Sequence, residues 1–149
     1  MKMYAKTMPL LTLKKNDTGF KSCKIGSSSD AYKVIRAFYF DDISIYESFF
    51  ILTLNRANNT TGYAKISQGG ISGTIVDPRI IAKYAIENLA NGVILAHNHP
   101  SGNLAPSDAY RQITRKITEG LKLLDVVVLD HIILTETSFY SFADEGILN

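Results

Sequence analysis

Val93-Ile94-Leu95-Ala96 leads without a break into His97-Asn98-His99-Pro100-Ser101-Gly102-Asn103-Leu104-Ala105-Pro106-Ser107-Asp108-Ala109-Tyr110. A nearly continuous apolar run bounded by a Gly/Pro-rich loop reads as a central strand buried on both faces, which demands covering layers on each side. At the end of that strand His97 and His99 stand two residues apart, so their side chains point the same way. Two imidazoles aimed at one point in a strand-end cleft are half of a catalytic zinc site, which takes three protein ligands and a water.

The rest of the chain supplies the layers. Ser27-Ser28-Ser29-Asp30 offers N-caps for a helix running to about Phe40, with Ala31, Val34, Ile35 and Phe38 on one face. Ile43–Asn55 is rich in β-formers and predicts a strand. Asn58–Gly62 reads as a turn, and Gly69-Gly70 separates two further strands, Tyr63–Ser67 and Ile71–Ile75. Asp77-Pro78 opens a second helix with Asp at N-cap and Pro at N1. Its apolar face would be Ile80, Ile81, Tyr84, Ala85 and Leu89, and Asn91-Gly92 would close it. Val93–His99 is then a strand, Asp108–Leu124 a helix capped by Ser107, and Val126–Leu134 a second strongly apolar strand. Leu10–Leu13 is a candidate short strand in an otherwise weakly patterned segment. Helices alternating with strands in this order predict an α/β layered domain with a mixed sheet.

Composition narrows the function classes. The 149 residues are one domain's worth of chain, 46% hydrophobic and 20% charged, as expected of a globular protein. A formal net charge of +2 makes no strong case for nucleic acid, and Lys14-Lys15 and Arg111/Arg115/Lys116 read as solvated faces. A single cysteine, Cys23, rules out an intrachain disulfide and a cysteine-rich zinc site. With no run of about 18 apolar residues and no secretory leader, the expected compartment is the cytoplasm and no membrane partner is expected.

Glu47 sits inside an apolar stretch, where an ionised group needs a partner or a purpose. It is the candidate general base: bound zinc brings the pKa of a water to about 7 and polarises a carbonyl, while a nearby carboxylate shuttles the proton. Taken singly, a strand Glu or a His-x-His pair has an ordinary surface explanation. Combined with the loop that follows, the ordinary explanation loses ground.

His97-Asn98-His99-Pro100-Ser101-Gly102-Asn103 followed by Pro106-Ser107 resembles the JAMM motif of JAB/MPN zinc metallopeptidases, in the version found in the RadC family. The resemblance runs from about Glu47 to Leu148 and takes in Gly69-Gly70-Ile71, Asp77-Pro78-Arg79, Asp130-His131 and Tyr140-Ser141-Phe142. It implies a three-layer, cytidine-deaminase-like JAB/MPN fold over about residues 27–149, with no room for the helix-hairpin-helix DNA-binding region of full-length RadC proteins. It implies Zn²⁺ on His97 and His99, Glu47 as base and Ser107 as the residue that helps hold a tetrahedral oxyanion. The implied substrate is a peptide or another amide. A DNA-repair association, with nucleic acid as a partner, comes from the family name alone.

Tyr110 departs from the pattern, because the family's third ligand there is an Asp. A phenol has a pKa near 10 and brings no anionic oxygen. The departure predicts a site that holds Zn²⁺ weakly or not at all, with Asp108, Asp130 or His131 as conceivable replacement donors. His131 also reads as a core histidine donating to a backbone carbonyl. The alternative function is a JAMM-fold interaction module without catalysis, in DNA repair or processing. Two look-alikes fail: the HNH nuclease motif is spread over a metal finger rather than a contiguous tripeptide, and zinc nucleotide deaminases need His-x-Glu and Cys-x-x-Cys. Whether Phe139-Tyr140-Ser141-Phe142 packs on the core or on a second copy in a homo-oligomer is left open.

Overall fold

β1 (Ser48–Leu54), β3 (Gly92–Asn98) and β4 (Val127–Leu134) form the middle of a five-stranded mixed sheet in the order β2-β1-β3-β4-β5. The edge strands are β2 (Thr60–Gln68) and β5 (Phe139–Ser141). The computed structural model describes residues 7–12, 14–39, 42–70 and 73–148. The strand with the uninterrupted apolar run is the central one, and all seven of its residues are buried. It pairs antiparallel with β1 and parallel with β4, the parallel pair being joined through helix α3 (Asp108–Lys122).

Strand alternation divides the core into two halves. Phe50, Leu52 and Leu54 of β1, with Ile94, Ala96, Ile132 and Leu134, pack with Ala31 and Ile35 of α1 (Ser28–Arg36). Phe49 and Ile51, with Val93, Leu95 and Val128, pack with Ile81 and Ala85 of α2 (Pro78–Glu87) and Ile117 and Leu121 of α3. Helix α1 therefore covers one face and α2 and α3 the other, which is the α/β architecture of a JAB/MPN-like domain. Among the described residues, no helix is long and apolar enough to cross a membrane.

Local signals place the helices well at their starts. Ser27, Asp77 and Ser107 each accept a backbone N–H of the first turn, and Pro78 stands in the first turn of α2. Helix α2 ends at Asn88, three residues earlier than Asn91-Gly92 suggested, with Leu89 at φ 48° in the left-handed region. Gly92 serves the sheet instead, since a Cβ there would come within 3.0 Å of the Leu129 side chain. Of the apolar face expected on α2, Ile81 and Ala85 are buried while Ile80, Tyr84 and Leu89 are exposed.

Three strand expectations need correction. Residues 43–46 are not strand: the chain turns there, with Ile45 and Tyr46 N–H groups donating to the Asp42 carbonyl. β2 begins at Thr60, so the turn falls at 55–58 around Asn58 at φ 62°, and not on 58–62. After Gly69-Gly70 no second strand forms in the described part; Gly73 makes an isolated bridge to Gly70, and Ile71 lies outside the described residues. Leu10, Leu11 and Thr12 are exposed and irregular, and Leu13 is outside the described residues. β5 went unread because three residues are too few for a periodicity signal.

Candidate metal centre

His97 is the last residue but one of β3, on the face that Val93 and Leu95 present to α3, and His99 follows the strand with its N–H still paired to the Leu134 carbonyl. Their Nε2 atoms face each other at 3.0 Å. His97 is wholly buried, and His99 Nδ1 donates to the Asn103 carbonyl in the loop beyond. The Glu47 Oε1 atom is 3.8 Å from His99 Nε2. Glu47, His97 and His99 thus form a three-donor cluster with all donor atoms within 4.8 Å.

Glu47 reaches this point through a backbone clamp. Its N–H donates to the Gly70 carbonyl and its carbonyl accepts from Gly69, extending the β1–β2 pairing by one step. A Cβ at Gly69 would fall 1.8 Å from the Gly73 carbonyl oxygen, so only glycine fits there. From the other side, Asn98 takes hold of the chain on both flanks of Glu47. Its Nδ2 donates to the Ile43 and Tyr46 carbonyls (2.6 and 2.7 Å) and its Oδ1 accepts from the Ser48 N–H (2.8 Å). Sequence reasoning missed Asn98; the available signal was a polar side chain inside a strand buried on both faces. This clamp also explains the turn at 43–46, where tertiary hydrogen bonds override local β-propensity.

Tyr110, in the first turn of α3, lies flat over His97 with ring centroids 3.7 Å apart and planes 13° from parallel. Its hydroxyl extends past the imidazole and donates to Glu47 Oε2 at 3.0 Å. Burial, and then the Glu47 charge, push the phenol pKa well above its ordinary value, so it is a neutral donor and not a phenolate. Ser107 is exposed and its Oγ caps α3 by accepting the Tyr110 N–H.

The three conceivable replacement donors are placed away from this cluster. Asp108 is exposed in the first turn of α3. Asp130 points to the other side of β4, where its carboxylate accepts from Ser141 Oγ and the Ala143 N–H and ties down the end of β5; burial raises its pKa. His131 stands behind His97, with Nε2 2.7 Å from His97 Nδ1 and Nδ1 2.6 Å from Thr114 Oγ1. The backbone-carbonyl partner expected for His131 is replaced by these two side chains. Desolvation is the main cause that lowers both imidazoles, His97 well below its usual value and His131 to about 3, so both are neutral. Phe142 is buried and stacks on His131 at 4.5 Å, which settles the packing of that aromatic on the core.

Comparison with known proteins bears on the family of the chain. The family described as RadC-like JAB domain matches residues 25–147. A UPF0758 protein of Flavobacterium johnsoniae is 50% identical over 124 residues, which are 83% of this chain and 53% of that protein. The UPF0758 protein YfjY of Escherichia coli K12 is 43% identical over 102 residues, 68% of this chain and 64% of the relative. One from Porphyromonas gingivalis is 38% identical over 125 residues, 83% and 54% of the two chains. The matched region spans a little over half the length of these relatives.

Proposed function

Because this chain belongs to the RadC-like JAB domain family, we propose that it is a metal-dependent hydrolase of amide bonds, with Zn²⁺ held by His97 and His99 and with Glu47 as the base beside it. The observation that carries the reading is the convergence of two imidazole nitrogens and one carboxylate within 4.8 Å. The donors fit zinc: two imidazole nitrogens with a carboxylate beside them, and an Nε2–Nε2 separation of 3.0 Å against the roughly 3.3 Å edge of a tetrahedron built on Zn–N bonds of about 2.0–2.1 Å.

Zinc, when bound, supplies an acidified water and a Lewis acid for the substrate carbonyl. Glu47 accepts the water's proton at Oε1, the oxygen turned towards His99, and returns it to the leaving nitrogen. Tyr110 holds the rotation of that carboxylate by donating to Oε2. Ser107 uses only an oxygen lone pair to cap α3, which leaves its hydroxyl hydrogen for the developing oxyanion. The substrate is a peptide or other amide in this reading.

Tyr110 favours a second reading. It covers one histidine, engages the carboxylate and adds no anionic oxygen, as expected if the fold serves as an interaction module in DNA processing. Zinc titration by calorimetry separates the two. The hydrolase reading expects one weakly held Zn²⁺ per chain, lost in His97→Ala, and at least tenfold tighter binding in Tyr110→Asp. A parent chain that takes up no zinc leaves the interaction module. Glu47→Gln should keep zinc and abolish hydrolysis of amide reporters; loss of zinc instead would make Glu47 a ligand.

A further inference from the structure

A cleft of about 250 Å³ has His99 as one of its walls. Its other walls come from three loops: the turn that precedes Glu47, the loop that follows β3 and the loop that follows β4. Strands β3 and β4 run parallel, so the cleft lies outside the carboxyl ends of both, the usual place for a ligand in an open α/β sheet. None of Glu47, Ser107 and Tyr110 lines it. All three loops are pinned by hydrogen bonds. The Ile43 carbonyl accepts from Asn98 Nδ2, and the Gly102 N–H donates back to the His99 carbonyl. Beyond β4, Thr135 and Ser138 close a tight turn: the Thr135 N–H and hydroxyl both donate to the Ser138 carbonyl, and the Ser138 N–H donates to the Thr135 hydroxyl. Glu136 stands in that turn, exposed, with no ion pair among the described residues. A cleft whose loops are already tied loses little freedom when it is filled.

Size and lining narrow what the cleft can hold. Pockets for whole small molecules run from roughly 300 to 1,000 Å³, so this one suits a single long side chain of a larger substrate. Ile43 and Pro100 give it apolar wall, and Ser101 adds a hydroxyl. Apart from His99, Glu136 is the only ionisable side chain among the described residues on its walls. Apolar wall combined with one carboxylate matches a methylene stem that carries a cationic head, and an acidic side chain would meet like charge there. We propose that the cleft is a substrate subsite for a Lys or Arg side chain next to the amide to be cleaved, selected by Glu136. The inference rests on the hydrolase reading above and narrows its substrate class to peptides that are basic beside the scissile bond.

Peptide binding to the full metal-free chain, followed through backbone amide NMR shifts, tests this without turnover. The probes are acetylated, amidated alanine pentapeptides with Lys, Arg, Gln or Glu at the centre. The Lys and Arg peptides should shift the amides of Ser101, Gly102 and Glu136, and at low salt should bind about three- to fivefold more tightly than the Gln peptide, the effect of one exposed ion pair. Glu136→Gln should abolish that difference, and Glu136→Lys should move the preference to the Glu peptide; a merely structural role would weaken all four peptides alike. With zinc added, Glu136→Gln should raise KM for Lys-containing amide reporters and keep kcat. Equal binding of the four peptides by the parent, an unchanged Lys preference in Glu136→Gln, or no shift at these amides overturns the subsite and leaves the metal centre standing. Charge-selective binding by a chain that takes up no zinc overturns the hydrolase reading instead, and upholds Glu136 as the group that selects basic side chains.

Discussion

The two faces of β3 carry two different kinds of polar machinery, and the tripeptide His97-Asn98-His99 is divided between them. On the α1 side, Asn98 meets two carbonyls and one N–H, partners that allow only one orientation of its amide. On the α3 side, His97 and His131 meet each other, another imidazole and a hydroxyl, partners that allow either direction of donation. A clamp of fixed roles holds the carboxylate in place, while the row of imidazoles is held by groups that can either donate or accept. The difference teaches that burial alone does not make a polar network rigid; rigidity comes from partners whose donor or acceptor role cannot change.

Removing the clamp should have the largest effect. Asn98→Ala leaves the Ser48 N–H and the Ile43 and Tyr46 carbonyls without their partner, at a cost of about 3 kcal/mol or more by the usual penalty for unpaired buried groups. Denaturant unfolding checks this, and a loss under 1 kcal/mol would show that the α1 side is as adaptable as the other.

Acid probes the opposite face. His97 and His131 have folded pKa values below their unfolded value of about 6.5, so in mild acid the unfolded chain binds more protons than the folded one. Stability of the metal-free protein should be full above about pH 7 and fall as the pH drops from 6.5 towards 3. Thermal melts across that range test the sign, and a melting temperature that rises on acidification contradicts neutral buried imidazoles. The smallest effect belongs to Tyr110→Phe, which keeps the stack on His97 and removes one partly buried hydrogen bond to Glu47, at about 1 kcal/mol.

The layered α/β class and the central position of β3 were legible because apolar runs and capping residues are local signals; Ser27, Asp77 and Ser107 cap the helices that they were expected to cap. Glu47, His97 and His99 were legible as a group through the motif they resemble, and the structure brings them together. What stayed hidden was set by distant partners. The strand expected from Ile43 gives way to a turn because Asn98, more than fifty residues away, binds its carbonyls. Tyr110 read as a failed ligand, since nothing local says that its hydroxyl would travel past the imidazole to Glu47. His131 read as an ordinary core histidine because its two partners lie on another strand and a helix.

The parallel pairing of β3 with β4 also has a consequence for the order in which this chain acquires structure. β1 and β2 meet across a short turn, but β3 and β4 can align only after the whole α3 crossover is in place. The contacts that define the centre span 63 residues from Glu47 to Tyr110, 52 from Tyr46 to Asn98 and 34 from His97 to His131. Such long loops close late, because their entropy is lost before their contacts are gained. The hairpin is thus an early folding unit, and the histidine–carboxylate cluster exists only once nearly the whole domain is ordered.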